Sequence, residues 1–377
     1  MPAPVGHTPR LNARFFFGPQ GWPYLLVPFI AVAVVLRALN ASDTLIFGAS
    51  ALGIIPTAAL MGRATEELAA RSGPGIGGFL NVTFGNAPEL IIALFALGNG
   101  LHELVKATLI GSIIGNILLV LGAAMMVGGL GRERQQFDPR MASVQSVMLV
   151  AAGAAFVMPA VLQLVGGHEL PSVGPALFSF STGVEVLSGL IAAVLIAVYM
   201  TGLLSSLRTN REIVSAEYEQ GDTWGWSVRT AVLMLAVAGV AVGVMSEILV
   251  HSIDAASQSL GLSEFFIGAI VVAIVGNAAE HWVAVLVARK DNMDLSINIA
   301  VGSGAQVALF VTPVLVLAAF FIGPFPMPLV FNAYELGAMV LSVAIAYYAT
   351  RRGQSTWFEG AQLLTVYAIL AIVFALA

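Results

Sequence analysis

The five residues Gly85-Asn86-Ala87-Pro88-Glu89 reappear as Gly276-Asn277-Ala278-Ala279-Glu280, 191 positions later. Each copy sets one carboxylate and one amide into an apolar stretch; Glu89 stands ten residues from Phe79 and ten from Asn99. A charge at the centre of an apolar helix costs about 2.5–3.5 kcal/mol on insertion scales. Two such placements in matching settings therefore point to a site. Two opposed glutamates suit a hard divalent cation. Calcium takes about 6–8 oxygen ligands. Glu89 and Glu280 supply charge balance, and Asn86, Asn277, Ser112, Ser303 and freed backbone carbonyls can supply the remaining oxygens, directly or through water. Gln306, one helical turn beyond Ser303, adds a polar group on the same face. For the serines and asparagines a second reading stays open, hydrogen bonding between helices. Gly85 and Gly276 permit close helix approach, and Pro88 removes a backbone N–H and so frees an upstream carbonyl.

The same pair accounts for proton exchange. A carboxylate held away from water favours its protonated form, and a cation displaces the protons by charge competition. Glu89 and Glu280 then hold either one Ca²⁺ or up to two H⁺ at one shared site. A second acidic tier flanks them. Glu66 and Glu67 lie near one end of the second predicted helix and Glu247 near the opposite end of the seventh, so each can line a cation access path on its own side. For Glu66 and Glu67, pairing with Arg63, three and four residues earlier, is equally open. Glu185 and Glu335 also fall within helices and have no assigned role.

The elements that carry these residues must be membrane helices. Of the 377 residues 58% are hydrophobic and 10% charged, against about 25% charged in an ordinary soluble domain, and mean hydropathy is +0.92. A spanning helix needs about 20 mostly apolar residues. Eleven stretches qualify, at roughly 22–41, 44–70, 76–99, 103–129, 140–165, 177–206, 227–256, 264–289, 293–322, 328–350 and 358–377. Breaks such as RSGPG at 71–75 separate them. Thirteen Lys and Arg fall on the N-terminal side of this alternation, and only Arg37 and Lys106 on the other. Positive charge marks the cytoplasmic side, which predicts a cytoplasmic N-terminus, an outer C-terminus and, in a bacterial cell, the inner membrane.

Gly111-Ser112 and Gly302-Ser303 recur at the same spacing as the two glutamate stretches, so the chain reads as a duplication. Five helices per copy is an odd number, and the copies face opposite ways, as in transporters whose substrate site lies near the midplane. The predicted fold is thus an all-α membrane protein: a first segment at 1–43 with one extra helix, a five-helix repeat at 44–207, an acidic cytoplasmic linker at 208–226, and an inverted repeat at 227–377. The absence of cysteine excludes thiolate and disulfide chemistry, and the net charge of -5 with no long basic tract gives no sign of nucleic acid. No HExxH and no Ser/His or Asp/Asp pairing at helix-facing spacing supports an enzyme. No cofactor is expected. The partners are Ca²⁺, H⁺ and the lipid bilayer, and homo-oligomerisation is left open.

At these residues the chain resembles the calcium/cation antiporter superfamily, and within it the calcium/proton exchanger family. FGNAPELIIALFAL at 84–97 with GSIIGNILLVLG at 111–122 is similar to the first family signature, and GNAAEHWVAVLVARKDNMDLSINIAVGSGAQVALFVTP at 276–313 to the second. Glu-Glu-Leu-Ala at 66–69 and Ser-Glu at 246–247 match as well. The resemblance implies an eleven-helix fold with Glu89 and Glu280 as the cation pair, supporting roles for Asn86, Asn277, Ser112, Ser303 and Gln306, and a part in proton coupling for His281. Gln306 has Gly115 as its repeat partner, so the two half-sites are not chemically equal. With a short stretch ahead of the first helix, no long N-terminal regulatory tail is expected. A sodium/calcium exchanger and a monovalent cation/proton antiporter are the alternatives.

Overall fold

The computed structural model describes residues 13–18, 20–173, 180–209 and 224–377. Most of the predicted linker at 208–226 therefore lies outside the described residues. A 3₁₀ turn, Trp22–Leu26, leads into α1 (Pro28–Ala38). Then come α2 (Asp43–Gly85), α3 (Ala87–Gly98), α4 (His102–Gly129), α5 (Pro139–Val165) and α6 (Thr182–Thr209). The second half holds α7 (Val228–Leu260), α8 (Glu264–Arg289), α9 (Met293–Ala318), α10 (Ala333–Thr350) and α11 (Trp357–Leu376). Two strands of two residues each pair antiparallel, Gln135 opposite Ser355 and Gln136 opposite Gln354.

Among the described residues nine helical stretches are long and apolar enough to cross a membrane. Phe79–Gly85 with α3 is a further candidate, bent by 45°, and Trp22–Ala38 is a shorter apolar stretch. The predicted break at 71–75 falls between two candidate spans, Asp43–Ser72 and Phe79–Gly98, although α2 is helical through it. The path nevertheless folds over there. A Cβ on Gly77 would lie 2.6 Å from the carbonyl oxygen of Ala69, although residues eight apart in a straight helix are separated by about 12 Å of rise.

The helices group into two compact units, each drawing on both halves of the sequence. The first comprises Met1–Phe95, Val198–Ala256 and Val275–Ala279, and the second Ala96–Ala197, Ser257–Ile274 and Glu280–Ala377. Lipid offers no hydrophobic drive between helices, so close packing of small residues does the holding. In the first unit Met61, Ala87, Ala238 and Val242 form a core flanked by Leu60, Phe84, Ile91 and Leu235. Gly53 of α2 fits there between Met245 and the backbone of Ile30; a Cβ would stand 2.8 Å from the Met245 sulfur. In the second unit α4 and α9 are the most enclosed spans, 78% and 72% buried, whereas α11 is 22% buried. Gly111 of α4 lies directly on the backbone of Ala269. Gly122 and Gly360 bring α4 and α11 together backbone to backbone, with a Cβ on Gly360 only 2.5 Å from the Gly122 oxygen.

Candidate ion-binding site

The first glutamate is placed by a helix break. α2 ends at Gly85, Asn86 stands at its C-terminus with φ −96° and ψ 17°, and α3 starts at Ala87. Pro88 dictates this. Proline has no N–H and its ring crowds the preceding turn, so it is accommodated in the first turn of a new helix. Glu89 consequently sits in the first turn of α3, where negative side chains are favoured. It is 4% exposed, and Asn86 and Asn277 are 2% and 1% exposed.

Glu89 meets the other copy of its own motif. A Cβ on Gly276 would stand 3.6 Å from Glu89 Cγ and 3.8 Å from Ile92 Cδ1. The bare backbone of Gly276 is what lets α8 approach the carboxylate stem. The second copy is organised differently: α8 runs unbroken through Gly276–Glu280, but a π-helical turn, Ile267–Val272, precedes it.

In the second unit Ser112 and Ser303 are buried, and Gln306, Glu280 and His281 are half-buried. His281 Nε2 and Asn116 Oδ1 are 3.2 Å apart, and Asn116 Nδ2 donates to Ser303 Oγ at 3.3 Å. With the Asn116 amide in this orientation, His281 carries its proton on Nε2. Asn116 thus ties α4, α8 and α9 together beside Glu280. It stands in a π-helical turn, Gly115–Val120, and two more such turns, Asn298–Gly302 and Val307–Val311, flank Ser303 and Gln306. Extra-wide turns of this kind often occur at functional positions. Sequence reading assigned no role to Asn116. Its signal was an asparagine four residues after Ser112, on the same helix face.

The outer acidic residues differ among themselves. Glu66 is exposed and bonded to Arg63 at 3.1 Å, and Glu247 is exposed. Glu67 is fully buried. Arg71 Nη1 reaches it at 2.9 Å and Arg63 Nη2 at 3.5 Å, so the pairing with Arg63 left open by the sequence is present. Glu67 also accepts the backbone N–H of Trp224 and, at 3.1 Å, that of Trp226. The Arg63 guanidinium lies 4.6 Å over the Trp224 ring. Glu335 is the third residue of a capping box with Asn332, which starts α10; the N-x-x-E spacing at 332–335 was the sequence signal for it. Glu185 is half-buried near the start of α6. Among the described residues no three His, Cys, Asp or Glu side chains converge as a metal-holding group.

Residues 42–205 and 230–376 match the family described as sodium/calcium exchanger protein. The chain belongs to that family. This exchanger-family chain is 41% identical over 369 residues to the Ca²⁺/H⁺ antiporter of Aphanothece halophytica, covering 93% of the chain and 95% of the relative. It is also 41% identical over 355 residues to the Ca²⁺/H⁺ antiporter ChaA of Bacillus subtilis, with 93% and 97% covered. The solved structure of native YfkE superimposes with a TM-score of 0.79 at 39% identity, covering 94% of this chain and all of that one. The H⁺/Ca²⁺ exchanger CAX, at 15% identity and a TM-score of 0.69 with 96% and 93% covered, shares the fold.

Proposed function

We propose that this exchanger-family protein is a secondary antiporter that exchanges Ca²⁺ for H⁺ across the membrane it spans. The observation that carries the reading is 41% identity, over nearly the whole length of both chains, to proteins named Ca²⁺/H⁺ antiporters. The test is collapse of an imposed pH gradient in everted vesicles on addition of Ca²⁺, Mn²⁺, Na⁺ or K⁺. Calcium should dissipate the gradient without sodium present. Calcium uptake that requires a sodium gradient would overturn the reading in favour of sodium/calcium exchange, and collapse by Na⁺ or K⁺ alone in favour of a monovalent antiporter.

Glu89 and Glu280 are the proposed shared carboxylates, holding one Ca²⁺ or up to two H⁺, with Asn86, Asn277, Ser112, Ser303 and Gln306 as supporting oxygens and His281 as part of the proton coupling. The deep burial of Glu89 against Gly276 supports this. We count eleven membrane spans: the nine stretches, the bent Phe79–Gly98 and the apolar Trp22–Ala38. Two inverted repeats fit the helix limits, because α3 and α8 end at Gly98 and Arg289 and α4 and α9 begin at His102 and Met293, each pair at the 191-residue spacing of the glutamate motifs.

Exposed Glu66 and Glu247 are assigned to access paths on opposite sides, with the N-terminus cytoplasmic. We assign Glu67, engaged at both oxygens, to holding the chain around Trp224 and Trp226. Single cysteines at Glu66 and Glu247 should react with an impermeant thiol reagent from opposite faces; reaction from one face would overturn the inverted arrangement.

A further inference from the structure

Where α10 ends and α11 begins, the short strand pairing joins their turn to the segment before α5. Between them lies a cavity of about 150 Å³ lined by Arg134, Arg352, Gln354, Thr356 and Glu359. Its two guanidinium groups are held by neutral partners. Arg134 Nη1 donates to Gln354 Oε1 at 3.1 Å, and Arg352 Nη2 to Tyr348 Oη at 2.9 Å. Among the described residues the ion pairs involve other cations, and no carboxylate lies within 4.0 Å of either guanidinium. Glu359, in the same lining, forms no ion pair with either guanidinium; its Oε2 accepts the Thr356 backbone N–H at 2.8 Å and the Thr356 hydroxyl at 3.1 Å, capping α11. The lining thus carries two positive charges against one negative, and the two guanidinium groups keep further N–H donors in a fork geometry that matches phosphate oxygens.

The surroundings say where the phosphate comes from. All five lining residues lie in or beside turns that connect candidate membrane spans. Tyr348, Trp357 and Phe358 beside the cavity are 57%, 49% and 57% exposed. Exposed aromatic side chains at span ends are the usual anchors of the membrane–water interface, and basic pockets between spans receive anionic headgroups. We propose that this cavity binds the phosphodiester headgroup of an anionic membrane lipid, with Arg134 and Arg352 on the phosphate and Tyr348, Trp357 and Phe358 against the glycerol and upper acyl region. The proposal rests on the membrane-spanning reading of the chain and is independent of which ions are exchanged.

The test is calorimetric titration of the purified full-length protein in neutral detergent with short-chain phosphatidylglycerol, short-chain phosphatidylcholine or inorganic phosphate. Phosphatidylglycerol should bind and phosphatidylcholine should not. Each arginine near an anionic lipid is worth roughly fivefold in affinity, so Arg134→Gln with Arg352→Gln should weaken binding by about 30-fold. Arg134→Lys with Arg352→Lys should fall between, since charge is kept and the fork lost. Lys290→Gln, which removes an exposed cation outside the cavity, should change nothing. Calcium transport by the variants in neutral-lipid vesicles reports that they fold. Equal binding of the two lipids, phosphate binding as tight as phosphatidylglycerol, or equal loss in Lys290→Gln would each overturn the proposal. The first would remove charge selection, the second would make this a free-anion site, and the third would leave only a diffuse basic face.

Discussion

The glycine of one motif copy lies on the carboxylate stem of the other: a Cβ at Gly276 would stand 3.6 Å from Glu89 Cγ. That is ordinary van der Waals contact, so one methyl fits. Gly276→Ala should keep transport intact, with stability unchanged or up to about 1 kcal/mol higher, since glycine weakens a helix interior. Gly276→Val has branches that must push on Glu89 and should lower calcium affinity by about 10–100-fold, the usual cost of disturbing a ligand's support. Calcium titration of both variants decides this. Equal affinities would mean that Glu89 does not depend on this contact.

Glu89→Gln and Glu280→Gln should each abolish exchange while the protein still inserts. Glutamine keeps size and hydrogen bonding but loses the charge that balances Ca²⁺. The measurement is radiolabelled calcium uptake into proteoliposomes. Near-normal uptake by either variant would reject the two-carboxylate site.

Apparent calcium affinity should fall as pH falls on the binding side. Protonating Glu89 or Glu280 removes charge that attracts the cation, so low pH favours the proton-loaded form, and bound calcium in turn favours the ionised form. An acidic outer face would then load protons outside and release them inside, where Ca²⁺ binds and is carried out. Calorimetry across roughly pH 5.5–8.5 should show this trend; a flat profile would sink the shared site even if exchange were confirmed.

Asn116→Ala leaves His281 and Ser303 without the bridging amide. A buried polar group that loses its partner costs about 1–3 kcal/mol, so the variant should melt earlier and transport more slowly. A double-mutant cycle with His281→Ala should give a coupling of about 0.5–3 kcal/mol. Additive effects would show that the 3.2 Å contact between the two side chains carries no energy.

Glu67→Gln removes the charge shared by Arg63 and Arg71 and weakens the acceptor for Trp224 and Trp226. Removing one partner of a buried ion pair costs about 3–5 kcal/mol. The expected result is a lower melting temperature together with faster proteolysis near Trp224. An unchanged melting temperature would show that the pair does not hold this segment.

The legible parts of the molecule were those written locally. Glu89 showed itself as a charge in an apolar run, and Pro88 beside it marked the place where the helix bends. The limits of α8, read as 264–289, are those observed, because an acidic start and a basic end bound one apolar run. Asn116 was hidden because its partners, His281 and Ser303, lie 165 and 187 residues away. The same holds for Glu67, whose local arginines were visible but whose backbone partners come from 157 and 159 residues further on. The break at 71–75 was legible, since RSGPG sets glycine and proline between two apolar runs, Asp43–Ser72 and Phe79–Gly98. The π-helical turns left no trace, since a run apolar on every side has no periodicity to disturb.

Those turns set an unusual length rule. A π-helical turn holds one residue more than an α-helical path of the same rise. Removing a single residue from Gly115–Val120 would let the turn close as regular α-helix with the faces on either side kept, whereas removing one from the α-helical stretch His102–Ile114 would rotate everything after it by about 100°. The Gly122 face that meets Gly360 would survive the first change and point elsewhere after the second. Relatives that share this packing should therefore tolerate one-residue gaps at the π-helical turns of α4 and α9 better than in the α-helical stretches between them, and other length variation should collect in the turns that connect the spans.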